Sequence, residues 1–341
     1  MNHMIKEPHK LLGSDGSLTE PGWSTKLIMD YDPIDVKAHK MRIKEWDYYV
    51  VIDDSGYAFS TTVADNRYMG LANANFYDFN ESKRHAFVTP LIFPMGKLNM
   101  PTKSSEGDIH FKSNYCKLDF THERGGRHLE GHYKKCALHG EMDFDIFLHE
   151  FDGDDTMVIA TPWEDDKTAF YYNQKINCMP ADGTVSFDGR THKFSSDKHF
   201  GTLDWGRGVW TYDNTWYWGS GNGYVNGKRF GYNIGYGFGN TTAASENMIF
   251  YDGRCNKIDR ILFEIPEDDI MKPWRFISSD GRLDMNFHPV YDNRNMFSAV
   301  VVSQNSHQVF GRVSGKAVLD DGTVLEIKDL FAFAERVRNR Y

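Results

Sequence analysis

Residues 215–239 read TWYWGSGNGYVNGKRFGYNIGYGFG, and the Asn226-Gly227 pair at their centre constrains the chain more than any other feature. A two-residue type I′ turn needs positive φ at both central positions, and Asn-Gly supplies it. With the turn there, Val225 faces Lys228, Trp218 faces Gly235, Trp216 faces Gly237 and Asn222 faces Gly231. On the other face Gly223 meets Phe230, Gly221 meets Tyr232 and Gly219 meets Ile234. Each large ring lies opposite a glycine and can fold over bare backbone. Such pairing partly repairs the weakness glycine brings to a strand, and the glycines let a sheet coil tightly.

The two faces of this hairpin differ. Tyr217, Phe230, Tyr232, Ile234, Tyr236 and Phe238 form an apolar face that reads as core. Trp216, Trp218, Ser220, Asn222, Asn233 and Arg229 form a face of rings, amides and one cation. That mixture fits a ligand pocket, which is mostly apolar with a few placed polar groups, or a second buried layer with satisfied amides. Just upstream runs Asp204-Trp205-Gly206-Arg207-Gly208. An aspartate beside an indole can be kept protonated by desolvation, as a general acid requires; Arg207 can instead hold it ionised in a salt bridge.

Strand signals dominate elsewhere. Residues 46–52 and 57–64 flank the turn cluster 53–56, and residues 156–163 and 168–176 flank a second acidic turn. Leu283, Met285 and Phe287 alternate with Arg282, Asp284, Asn286 and His288, which a period of two explains and 3.6 does not. Residues 296–303 and 308–318 continue the pattern. The one helix expected lies near the carboxy terminus, over 329–337, with Asp329 as its cap; a short turn is placed near 36–41. The expected architecture is mainly β: two tandem antiparallel barrels or half-barrels, residues 1–180 and 181–341, with a short C-terminal helix. The turn-like residues 179–183 mark the boundary.

The formal net charge of −9 disfavours a broad contact with phosphate backbones, so no nucleic-acid partner is expected. The longest apolar runs are too short for a membrane helix, so no integral membrane association is expected. The amino-terminal stretch has no apolar core, and Cys116, Cys136, Cys178 and Cys255 lie far apart. Free thiols in the cytoplasm are the corresponding expectation. His128 and His132 flank Leu-Glu-Gly, but on a strand they would lie ~13 Å apart, too far for one ion. No metal and no cofactor are expected. Glu45 and Glu246 are carboxylates embedded in aromatic strands; together with Asp204 they could supply paired acid and base groups.

LDWGRGVWTYDNTWYWGSGNG, FGYNIGYGFGNTTAASENMIFYDG, KPWRF, GRLDMNFHP and FGRVSG, with LLGSDGSLTEPGW, MRIKEWDYYVV and DLFAFAERVRNRY, resemble the family of domain of unknown function 2804 over nearly the whole chain. Architecture and aromatic content are also similar, more distantly, to proteins with two lipocalin-like barrels such as carotenoid hydratases. That similarity implies a pocket at a barrel mouth or between barrels, with carboxylate chemistry on an apolar substrate. The functional expectation is a small-molecule pocket. Asp204, Glu246 and Glu45 are its candidate acid–base groups, and Trp205, Arg207, Trp216, Trp218, Asn222 and Asn233 its candidate substrate contacts. The chemistry would be hydration, isomerisation or elimination on a small hydrophobic or mixed-polarity ligand. The alternative is a binding protein without chemistry, and the oligomeric state is left open.

Overall fold

A computed structural model describes residues 3–135, 140–299 and 302–340. Cys136, Val300 and Val301 fall outside them. Among the described residues the chain forms two large sheets, of 13 and nine strands, with a small two-stranded one near the amino terminus. In the first, the main path runs Lys83–Ile92, Met69–Asp78, Tyr57–Asp65, Ile43–Asp53, Phe200–Val209, Phe170–Phe187, Met142–His149, Gly126–Tyr133, Cys116–Glu123 and Ile109–Lys112. It curls until its ends approach: Thr89 Oγ1 lies 3.3 Å from Cys116 Sγ. The second runs Arg254–Lys257, Met248–Tyr251, Lys228–Tyr236, Asp213–Val225, Val324–Arg340, Val302–Val318, Leu283–Ala299, Trp274–Ser278 and Ile261–Glu264. It too curls, bringing Phe263 to 5.7 Å from the Tyr236 ring. These are two antiparallel half-barrels in tandem, as expected.

The Asn226-Gly227 turn forms where expected, with φ of 53° and 75°. The register is the expected one from Tyr217–Tyr236 to Val225–Lys228. Phe230, Tyr232 and Ile234 enter the core of the second half-barrel. Phe238 does not: Gly237, at φ 95°, breaks the alternation and sends that ring to the opposite side, among the residues between the half-barrels.

The expected helix over 329–337 is a strand. Val324–Arg340 pairs with both Asp213–Val225 and Val302–Val318. Phe331, Ala332, Phe333 and Ala334 are all buried because the strand has a packed layer on each face: alanines toward the second core, phenylalanines toward the first half-barrel. Burial on both faces erases the alternation that marks a half-exposed strand. Asp329 is no cap; it sits at φ 52° beside a register shift.

The passage between sheets falls between Val209 and Asp213. Residues 179–183 lie inside the strand Phe170–Phe187, whose turn-like composition serves a bulge after Ile176, with Cys178 at φ 59°. A third apolar cluster lies between the half-barrels, joining Tyr77, Phe79, Tyr171, Trp210, Trp218, Phe238, Phe310, Phe331 and Phe333.

Candidate functional site between the half-barrels

Two cross-strand rows, one from each sheet, face each other. In the first sheet Lys175 pairs with Asp204, Asp204 with Tyr48 and Tyr48 with Thr62. In the second Trp218 pairs with Glu335 and Glu335 with Gln308. The rows meet at two points. Lys175 Nζ lies 3.9 Å from the Trp218 ring centroid, and Gln308 Nε2 donates to Tyr48 Oη at 3.0 Å. Between them is a cavity of about 280 Å³ lined by Trp46, Tyr48, Thr62, Ala64, Asn66, Tyr171, Lys175, Asp204, Trp210, Trp216, Trp218, Phe238, Gln304 and Glu335.

The aromatic wall rests on glycine. Trp46 pairs with Gly206, and a Cβ there would lie 2.1 Å from the Trp46 ring. Trp46 then stacks at 5.9 Å on Tyr171, and Trp210 packs edge-on against Trp46, Tyr171 and Trp216. Trp218 is fixed by its indole N–H, which donates to Asn233 Oδ1 at 2.7 Å.

The polar wall is a set of carboxyl groups near the Lys175 side chain. Asp204 Oδ1 accepts from Lys175 Nζ at 2.7 Å and from Asn173 Nδ2 at 2.7 Å. Glu335 Oε1 accepts from Gln308 Nε2 at 2.9 Å. Burial pushes Glu335 up to about 7; the Asp204 carboxylate adds to the shift and Lys175 opposes it. Glu246 is 1% exposed, its carboxyl lies against bare Gly235 beside Trp218, and neither oxygen has a hydrogen-bond partner among the described residues. Burial raises it also to about 7, with Lys175 opposing and Asp204 adding. Near neutral pH this site therefore retains protons that ordinary glutamates would have lost.

Of the residues expected from sequence, Asp204, Trp216 and Trp218 line the cavity. Glu246 and Asn233 stand behind Trp218, Asn233 also donating to the Glu246 carbonyl at 2.9 Å. Asn222 lies deeper between the half-barrels, accepting from Asn177 Nδ2 and the Cys178 amide and donating to Thr202 Oγ1. Glu45, Trp205 and Arg207 are not at the cavity. A strand sends successive side chains to opposite faces, so these three enter the first half-barrel while Trp46, Asp204 and Gly206 face outward. There Glu45 is paired with Arg67 at 2.8 Å and Tyr31 at 3.0 Å. Arg207 pairs with Asp47 at 3.0 Å and stacks over Trp205. Arg229 pairs with Asp154, also away from the cavity. Sequence reading missed Lys175, Tyr48 and Glu335; strand parity with Trp46 points to Tyr48, whereas Lys175 follows only from cross-strand register and Glu335 lies on a strand that reads as a helix.

His128 and His132 lie on a strand and contact different carboxylates: His128 touches Glu123 and Asp145, and His132 touches Asp143. Two exposed groups, His128–Glu130–Asp145 and His132–Glu141–Asp143, have ligand atoms close enough for a cation. They lie on, or next to, the Gly126–Tyr133 and Met142–His149 strand pair and supply nothing to the cavity.

Fold and site together define a protein of two curled β half-barrels with an aromatic, carboxyl-bearing cavity between them. The chain belongs to the family described as domain of unknown function (DUF2804), whose model matches residues 2–341. Among solved structures it is similar in fold to a putative AttH from Nitrosomonas europaea, at TM-score 0.50 and 11% identity, covering 90% of this chain and 96% of that one. It is equally similar to kievitone hydratase from Nectria haematococca, at TM-score 0.50 and 10% identity, covering 98% of each chain. No curated protein gives a significant match. Among the described residues, no helix is long and apolar enough to cross a membrane.

Proposed function

We propose that the cavity between the half-barrels carries out acid–base chemistry, hydration or its reverse, on a small ligand with an apolar body and a polar end. The observation that carries this reading is the grouping of Glu335, Asp204 and Glu246 near the Lys175 side chain, beside a wall of rings. The rings suit a flat, apolar ligand body, and a cavity of about 280 Å³ suits a small one. Glu335, with a pKa near the operating pH, is the acid. In the hydration direction it gives its proton to a carbon–carbon double bond. Water adds to the resulting cation and releases a proton to Asp204, and proton return from Asp204 to Glu335 resets the site. One water is added and no charge is left over. Lys175 Nζ, 2.7 Å from Asp204 Oδ1, holds that side chain in place to accept the proton. The likeness to kievitone hydratase is one of fold, and it fits this reaction class without naming the substrate.

The test uses the tryptophans that line the cavity. Candidate alkenes, enones and tertiary alcohols are screened by quenching of intrinsic fluorescence, and ligands that quench are incubated and analysed for gain or loss of water. Turnover that falls about 10²–10⁴-fold in Glu335→Gln, with quenching retained, supports the assignment. Quenching without turnover in the wild-type chain makes the site a carrier; neither response across the panel removes it as a ligand site.

A further inference from the structure

The cavity wall does not stop at Thr62 and Ala64. Thr62 pairs with Asn73 and Asn73 with Val88; Ala64 pairs with Leu71 and Leu71 with Pro90; Met69 pairs with Ile92. All these side chains share the outward face of the first sheet, because Val63, Ala72, Ala74 and Phe87 take the inner one. The cavity wall therefore continues as a ramp to the sheet edge. There Val88 is 45% exposed, Ile92 84%, Phe93 57% and Met95 44%. On the other side of the opening, Phe297 pairs with cavity-lining Gln304, and Phe297 and Met296 are 53% and 65% exposed. Arg84, on the edge strand Lys83–Ile92, reaches this hairpin at Asn293 and Asn295.

Around this rim basic residues outnumber acidic ones. The chain has 48 acidic residues, yet residues 82–105 and 293–319 contain none. Arg294, Arg336, Arg338 and Arg340 are exposed where the second sheet extends beyond the cavity, on the face that carries Met296 and opposite the one that carries Phe297 and Gln304, and Lys97 is exposed among the apolar residues of the first. Asp213 is the carboxylate that answers Arg338 and Arg340, at 3.0 and 3.5 Å.

We propose that this apolar, basic rim docks on an anionic lipid bilayer, and that the ramp passes a membrane-dissolved ligand into the cavity. The inference rests on the reading of the cavity as a site for an apolar-bodied ligand. Exposed Phe, Ile and Met beside Arg and Lys match the acyl and headgroup layers of a bilayer surface. A second copy of the chain fits poorly, since a two-fold contact would set the same arginines against each other. The overall charge of −9 does not prevent docking, because charges beyond ~8–10 Å are largely screened at physiological salt.

The experiment is co-sedimentation of the full chain with vesicles of phosphatidylcholine alone or mixed with phosphatidylglycerol. Binding is expected to the mixed vesicles, weakening as salt rises. Arg338→Gln with Arg340→Gln should weaken it by roughly fivefold per arginine, about 1 kcal/mol each near such a surface. Met296→Ser with Phe297→Ser, and Ile92→Ser made separately, should each weaken it while circular dichroism and ligand quenching stay at wild-type levels. Failure to bind mixed vesicles, binding unaltered by all of these variants, or self-association that the same variants abolish, would each overturn the proposal. Glu335→Gln is expected to bind vesicles as wild type does, which separates failure of docking from failure of the acid–base reading.

Discussion

Glu246 shows how far one buried group can be followed from geometry to measurement. Its folded pKa of about 7 lies above the ordinary 4.5, so folding favours the protonated form. The stability linked to it is fully present below about pH 4.5 and is lost as pH rises toward and through 7. Glu246→Gln keeps the shape and removes the titration. It should match wild type near pH 4.5 and exceed it by roughly 2–3 kcal/mol at pH 8, read by urea denaturation at both pH values. At this same scale the sequence is an uneven guide. Asp204 was legible as a buried acid beside aromatics. Trp205 and Arg207 were grouped with it because they are adjacent in the chain, but adjacency on a strand means opposite faces. Lys175 could not be found that way: its partnership with Asp204 is set by the register between two strands, Phe170–Phe187 and Phe200–Val209.

Among the elements, the glycine–aromatic hairpin was legible down to its register, because a two-residue turn fixes every pair that follows. The closing strand was not, because its bulge places an aspartate where a helix cap would stand and its centre is buried on both faces. The glycines of the hairpin also separate into two kinds. Gly227 has positive φ in open space, so Gly227→Ala should cost only about 1 kcal/mol. Gly237 has positive φ and the Thr215 carbonyl oxygen 2.2 Å from where a Cβ would stand. Gly237→Ala should therefore cost well over ~2 kcal/mol, and should disturb fluorescence from Trp216, whose Cα is 2.8 Å from the same point. Thermal unfolding of the two variants side by side checks the contrast.

Over the whole molecule, two half-barrels were expected and are present, and the layer between them could not be read from composition. It is built from residues that look like ordinary core in each half: Phe79 stacks at 5.0 Å on Phe331 and packs tilted at 4.8 Å against Phe310, across the two sheets. An interface this apolar should make the halves unfold together. Circular dichroism and tryptophan emission are expected to report one coincident transition in denaturant. Phe79→Ala should shift it by roughly 3–5 kcal/mol without splitting it; two separated transitions in the wild-type chain would mean the halves are energetically independent. The cavity inherits this dependence, since the ammonium and aspartate come from one half and the glutamic acid at 335 from the other. On the proposed acid–base reading, a chain severed at the crossover near residue 211 would yield two pieces without turnover, and turnover would return only on mixing them, at a rate set by how tightly the fragments reassociate.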